Sequence, residues 1–566
     1  RYDFLTRLRS NEDLAGTLAT LEVQVGWEYL ERYLEKIDRI TPEDVTRAAG
    51  KFLREEDRTT CYVIPGGEKT EPSEPYEEVR SFSASTAKEV KTPDDLTNHS
   101  EYPTPSGWQH PLSFHRDPSL IAFPDAETAT VKGAELFYLP DRELPLVDLT
   151  LLVKAGQVDV PEGKIGLADM LQQTMVQGGT ESYGPEELAE LLDAHAIQVD
   201  VSVQEEVTQV DLSVMREEWE TAVELLREIL ARPRFDAEVL DASRKRLLIG
   251  LRRQAGDAGR VSRRELEIQH FQGHPYGRDP LKALGTVPGI TPGDLRAFLA
   301  DYLVPSNMTV AVSGDLSKDE AVAGLEKLLG GLAETTAPER DLAVPEPTPP
   351  VLAFIHKPGQ VQSQVAMALP GPRRTEPGYW ETNLLVDILG GRDSMVFRRL
   401  REDLGLVYSA YFHQRYKWKA GWITGFMGCK GDQTAEAIRQ AVGLMKELRE
   451  GIPADEAEQK RLDALNSFVF NVDTPAALTG VYARYRLRGE PLDTLRQIQK
   501  AYMEASREDL RNRALTYLDP SRLQIVVVGD RSTRVAQEDG TRTNLEASLR
   551  QTAEALGLPF ETRPLR

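Results

Sequence analysis

Cysteine is nearly absent: the 566 residues hold two, Cys61 and Cys429. That excludes a disulfide framework and a cysteine-built metal site, and it leaves the compartment open. No apolar run reaches the roughly 18 residues that a membrane-spanning helix needs. Positive charge is in deficit, with 68 Lys and Arg against 90 Asp and Glu, a net charge of −22. Such a chain is a poor partner for nucleic acid or an anionic membrane surface. It would suit basic substrates, although a solvated acidic surface explains the balance more simply. No serine sits in a nucleophile-elbow pattern, and the Gly-Gly pairs at 66–67, 178–179, 330–331 and 390–391 lack a phosphate-loop context. His270 and His274 stand one helical turn apart, but Gly273 and Pro275 break the helix that would align them on a metal. No signal-peptide pattern is present. The chain opens at Arg1, not Met, directly in a helical pattern, which leads to the expectation that more chain precedes it.

What is there is an ordinary globular composition, 40% hydrophobic and 28% charged, long enough for three or four domains. One phrase recurs three times: Thr41-Pro42-Glu43-Asp44, Thr291-Pro292-Gly293-Asp294 and Ser506-Arg507-Glu508-Asp509. In each copy an aromatic residue (Phe52, Tyr302, Tyr517) follows the Thr or Ser by eleven residues, and an apolar stretch comes next. Thr or Ser suits an N-cap, Pro the first helical position and Asp the first turn. The repeat therefore predicts a capped helix followed by a buried strand, at 59–64, 308–314 and 523–529.

The second and third copies each close a body of ordinary domain size, whereas the first closes only 65 residues. This gives a division into 1–65, the end of a preceding domain; 66–133, a proline-broken linker between Pro72 and Pro124; 134–343 and 344–531, two bodies; and 532–566, a polar tail. Both bodies run strand, helix, two alternating strands, helix, helix. The predicted fold is α+β, a duplication in which helices pack on one face of a mainly antiparallel sheet. Tyr482, Arg484, Tyr485 and Arg486 read as a packed helix with charged edges.

In Phe397–Tyr408, Arg401 and Tyr408 stand seven residues apart with Gly405 between them. Gly405 marks a helix stop, which puts Arg401 on the last helical turn and Tyr408 at the start of a strand. A guanidinium and a phenol could hold a peptide carbonyl or an oxyanion. By spacing alone, a solvated helix end beside a strand tyrosine is the plainer reading.

The stretch from Ala155-Gly156 through Gly166-Leu167-Ala168 to Gly179-Thr180 resembles the zinc-helix region of the pitrilysin/insulinase family, the inverzincins. Their helix carries H-x-x-E-H: two histidines hold zinc and the glutamate activates water. Here the matching positions are Asp169, Gln172 and Gln173. The family's third ligand, a glutamate, falls near Gly250. This body cannot supply the family's zinc ligands, so the resemblance implies that the chain itself binds no cofactor. His274-Pro275-Tyr276-Gly277 also resembles a recurrent family segment, and the likeness extends over nearly the whole chain.

In that family two similar halves close like a clamshell around an unfolded peptide, as in processing-peptidase-like two-half enzymes. One half carries zinc. The other supplies an Arg and a Tyr from its last domain, and Leu400–Tyr408 matches that segment in composition and spacing. The loop Gly390–Ser394 is shorter than the glycine-rich loop of the mitochondrial processing peptidase, so presequence recognition is not carried over. The resemblance implies a non-catalytic C-terminal half of a zinc metalloendopeptidase. Arg401 and Tyr408 are its expected substrate contacts, and zinc is expected in an N-terminal half or partner chain. Two alternatives stand beside it: a degenerate structural subunit like the core proteins of the respiratory bc1 complex, or a peptide-binding protein without hydrolysis. Family habit leans towards a bacterial periplasmic or secreted protein.

Overall fold

The computed structural model describes residues 1–61, 107, 120–537 and 540–565. The chain falls into two compact units, one built on residues 18–117 and one combining 2–17 with 118–566. In the first unit the helices Tyr29–Ile37 and Pro42–Phe52 bury no side chain. Ile40, Val45, Phe52 and Leu53 all face solvent there. The strand expected at 59–64 does not begin at Thr59–Cys61, and 62–64 lie outside the described residues, as does all but Gly107 of 66–119.

The second unit is built on two six-stranded sheets. The first comprises β1 (Glu127–Val131), β2 (Ala134–Pro140), β3 (Leu146–Val153), β4 (Gln198–Val203), β5 (Thr208–Met215) and β6 (Met308–Gly314), in the order β1-β2-β6-β3-β5-β4. Only the β2–β6 pair is parallel. The second comprises β7 (Val351–His356), β8 (Gln362–Gly371), β9 (Val407–Lys417), β10 (Ala420–Lys430) and β11 (Gln524–Gly529). A small ribbon follows, β12 (Arg534–Ala536) and β13 (Arg542–Asn544), and then β14 (Phe560–Arg563). Its order is β14-β7-β11-β8-β10-β9, with β7 parallel to both β14 and β11. This is the α+β duplication that the pattern predicts.

All three repeats form the expected reciprocal caps: Thr41 with Asp44, Thr291 with Asp294, Ser506 with Asp509. The strands that follow the second and third, β6 and β11, are buried along their whole length.

Two boundaries need correction. The linker was expected to run to 133, yet β1 and the start of its hairpin already belong to the first sheet. Its Thr-rich sequence shows little apolar alternation, and the hairpin turns on Lys132 and Gly133, both at positive φ (50° and 95°), the geometry of a type I′ turn. The expected tail, 532–566, instead supplies the helix Leu545–Leu556 and the edge strand β14. Leu545, Leu549 and Ala553 are fully buried in the second core, and β14 is too short to show a period.

Each sheet also receives a helix from the other body. Ala258–His270 packs on β8 and β11, and Pro475–Arg488 packs on β2, β3 and β6. Val261 and Leu266 meet Ala366, Ala368, Val526 and Val528. Leu478, Tyr482 and Ala483 share a core with Phe137, Leu152 and Ala311. Each such apolar side chain, fully buried, contributes about 1.5–3 kcal/mol, so the exchange joins the bodies firmly. It also explains the Tyr482–Arg486 segment as a packed helix.

Candidate substrate-contact site

Ser394 caps a short helical turn, Met395–Phe397, by accepting the Phe397 N–H at 3.3 Å. The chain then widens into a π-helical turn, Arg398–Asp403, in which the Leu404 N–H reaches the Arg399 carbonyl at 3.2 Å. Val396 and Leu400 are fully buried and pin the turn to the core. Two neighbouring arginines are engaged: Arg398 with Glu456, and Arg399 with Glu447 at 3.4 Å. Arg401 is not. It is exposed, lies 5.0 Å over the Phe397 ring, and has no hydrogen-bond partner among the described residues.

Gly405 takes the left-handed conformation (φ +60°) that the helix stop requires. β9 then pairs with β10, and the register slips at its first residues: Val407 faces Cys429 and Ser409 faces Gly428. Tyr408 is therefore the extra residue of a β-bulge, 53% exposed, and it too has no hydrogen-bond partner among the described residues. π-turns and bulges both re-aim side chains, and both concentrate at functional sites. Arg401 and Tyr408 sit on one of each, at the two ends of a single turn. Neither side chain's donors meet an acceptor among the described residues.

The helix Leu167–Thr174 carries Asp169, Gln172 and Gln173, the positions expected to match the zinc helix. Gln172 accepts a hydrogen bond from the Val203 N–H at 3.0 Å, so its amide is tied to the end of β4. Asp169 is mostly buried, and burial pushes its carboxyl above the usual range. It lines a cavity of about 150 Å³ with Glu205, Glu267, Tyr276 and Arg278. A Cβ on Gly250 would meet open space, so a carboxylate could stand there but none does. One carboxylate and two amides do not make the imidazole and carboxylate set that zinc requires. Among the described residues no group of three or more His, Cys, Asp or Glu is placed to hold a metal ion. His270 and His274 are occupied otherwise: Nδ1 of His270 pairs with Gln524 Oε1 at 2.9 Å, and His274 accepts the Tyr276 N–H at 3.1 Å.

A family model described as Insulinase (Peptidase family M16) matches residues 140–282, and one described as Peptidase M16 inactive domain matches 289–462. Together they cover more than half of the chain. This protein belongs to the M16 peptidase family. The M16 relatives include a "non-peptidase homolog" of Helicobacter pylori, 21% identical over 64% of this chain and 85% of its own length. Another is an "uncharacterized zinc protease" of Bacillus subtilis, 23% identical over 55% of this chain and 75% of its own. A solved M16 inactive domain from Pseudomonas fluorescens has the same fold, with a TM-score of 0.67 at 21% identity over 72% of this chain and 98% of that one. The match of 289–462 to the family's inactive domain, and the relative named a non-peptidase homolog, support a non-catalytic M16 half.

One cluster escapes sequence reasoning. The β4–β5 turn brings Glu205 and Glu206 against the β9–β10 turn, where Lys417 is 5% exposed. Lys417 pairs with Glu205 and, at 2.7 Å, with Glu267. Its Nζ lies 4.8–5.2 Å from the rings of Tyr276, Phe271 and Trp422. Glu206 accepts from the Tyr276 hydroxyl and from the Trp418 N–H at 3.0 Å. Burial pushes Glu205 up to about 7, with Lys417 pulling the other way. The only sequence signal is a Lys-Trp-Lys turn between two strands. Its partners lie some 150 and 210 residues away.

Proposed function

We propose that this chain is the non-catalytic C-terminal half of a zinc metalloendopeptidase and holds unfolded peptide while an N-terminal zinc-bearing half, fused or separate, performs hydrolysis. The observation that carries this reading is the pairing of a zinc-helix frame stripped of its ligands with an unengaged Arg401 and Tyr408 on one turn. A guanidinium and a phenol placed at the carbonyl beside the scissile bond donate most strongly when its oxygen gains charge. Such donors accelerate the reaction because they favour the transition state over the bound substrate. The edge strands β4 and β9, each paired on one side among the described residues, offer places for an extended peptide to add as a further strand. The coreless helices Tyr29–Ile37 and Pro42–Phe52 support a second half, since their exposed apolar residues need a body to cover them.

The test compares the chain alone with the chain joined to a zinc-bearing half. Alone it cleaves no peptide; joined, it supports zinc-dependent cleavage that Arg401→Ala and Tyr408→Phe each slow. Zinc-dependent cleavage by residues 1–566 alone sinks the proposal, as does an unchanged kcat in both variants. A purely structural or peptide-binding role is the second reading, supported by the relative named a non-peptidase homolog. It prevails where the genes encoding and adjoining this chain hold no H-x-x-E-H with a downstream glutamate.

A further inference from the structure

A cavity of about 390 Å³ opens beside the β9–β10 turn, between residues 340–342 and the end of the helix Pro475–Arg488. Seven of its lining side chains are cationic and one, Glu490, is anionic. In a chain of net charge −22 this concentration is against the grain. Four of the seven have carboxylate partners: Arg340 with Asp159, Arg374 with Glu490, Lys417 with Glu205 and Glu267, and Arg486 with Glu135. Among the described residues Lys154, Lys419 and Arg488 have none, so the cavity keeps a positive surplus.

Charge alone would not make a site, but two buried donors there lack acceptors. The Arg340 side chain is 7% exposed. Its Nε donates to Asp159 at 2.8 Å and its Nη2 to the Glu206 carbonyl at 2.8 Å, which fixes the guanidinium. Its Nη1 has no partner among the described residues, and neither has the indole Nε1 of Trp418. The two groups are stacked, with the guanidinium carbon 4.7 Å from the Trp418 ring. A buried donor left without an acceptor costs about 1–3 kcal/mol, more for a charged one, and here two such donors lie side by side.

We propose that this cavity binds a peptide carboxylate, from an Asp or Glu side chain or a C-terminus, with one oxygen on Arg340 Nη1 and the other on Trp418 Nε1. Two donors without acceptors on stacked groups suit a planar two-oxygen group, whereas a phosphate has a third oxygen to satisfy. Lys154 and Lys419 stand exposed at the rim and draw the anion in. The aliphatic and aromatic surfaces of Leu342, Leu487 and Tyr416 receive the flanking chain. The site would thus select acidic positions within the peptide, and it rests on the peptide-binding reading above.

The experiment measures binding of labelled, unstructured peptides to the intact chain by fluorescence anisotropy. Three probes are used: an acetylated, amidated peptide with one Glu, its Gln counterpart, and the Gln peptide with a free C-terminus. The Glu probe, the free C-terminus or both bind at least about tenfold tighter than the neutral peptide, the fold-change expected for a hydrogen-bonded charge. Which of the two gains shows the source of the carboxylate. Trp418→Phe, which keeps the ring under Arg340, removes most of that preference, and Lys154→Ala with Lys419→Ala weakens it further and flattens its salt dependence. Equal binding of all three peptides overturns the site while leaving the peptide-binding reading intact. Failure of every peptide to bind overturns both. A preference undiminished by Trp418→Phe, or tighter binding of inorganic phosphate than of the Glu peptide, also overturns the assignment.

Discussion

Replacing Lys417 with Met tests the joint between the two bodies. Met fills most of the volume of the Lys stem, so packing against Phe271, Tyr276 and Trp422 is largely kept while the charge is lost. Removing one partner of a buried pair costs about 3–5 kcal/mol. Glu267, 48% exposed, rehydrates readily and adds little. Glu205, 32% exposed, does so only in part, which places the expected loss near 3 kcal/mol, the low end of that range. Lost cation–π attraction adds about 1 kcal/mol.

The loss must depend on pH. Burial already holds Glu205 near 7, above its ordinary 4.5, so the folded protein binds this proton more tightly than the unfolded chain. Its contribution to stability is fully present below about pH 4.5 and is lost as pH rises through about 7. Without Lys417 the carboxyl is pushed higher still, and the slope steepens. Unfolding in urea, followed by tryptophan fluorescence because Trp418 and Trp422 flank the joint, should show the Lys417→Met deficit largest near pH 8 and smallest near pH 5. Glu205→Gln should flatten the slope of the parent and rescue part of the variant's loss at pH 8. A deficit equal at both pH values, or no rescue, refutes the assignment of the charge balance to Glu205 and Lys417.

With the proposed zinc-bearing half supplied, Arg401→Ala should lower kcat by roughly tenfold to a hundredfold with unchanged folding, read by steady-state kinetics and circular dichroism. Asp169→His, Gln172→Glu, Gln173→His and Gly250→Glu together should give the chain one tightly held zinc by metal analysis after dialysis; no uptake would break the match of this helix to the zinc frame. Thr291→Ala and Ser506→Ala should each cost about 1 kcal/mol in urea unfolding, because each removes the same cap. A Cβ on Gly425 would meet the Phe412 ring, whereas one on Gly390 would meet the Phe412 backbone. Gly425→Ala should therefore cost about 1–3 kcal/mol and be partly rescued by Phe412→Leu, while Gly390→Ala should not be rescued.

The parts of the fold legible in the sequence are those with local causes. The Thr-Asp and Ser-Asp caps fix helix starts within three residues, and the largely apolar runs that follow the second and third become β6 and β11. The Gly405 stop follows from backbone sterics at one residue. What stayed hidden depends on partners far along the chain. Nothing in Ala258–His270 says that its apolar face covers the second sheet and not the first. The β14 strand is four residues long and gains its identity only from pairing with β7. The bulge at Tyr408 arises from a register slip against Gly428 and Cys429, which no reading of β9 by itself contains.

That slip bears on how a half without catalytic ligands can still be selected. A regular β9 would place Tyr408 opposite one residue of β10, its direction set by the pleat. The bulge frees the phenol from that alternation, and the π-turn does the same for Arg401, one turn earlier. Both irregularities cost backbone hydrogen-bond regularity, and the buried Val396 and Leu400 beneath them supply the packing that holds them. A chain maintained only for bulk structure would relax such features, because a regular helix end and an unbroken ladder would be more stable. On the proposed reading, these two adjacent irregularities are what present the donors of Arg401 and Tyr408 to a peptide. Deleting Tyr408 to restore the register should stabilise the isolated chain yet abolish its support of peptide cleavage by the proposed zinc-bearing half. Full retention of that support would show the bulge to be incidental.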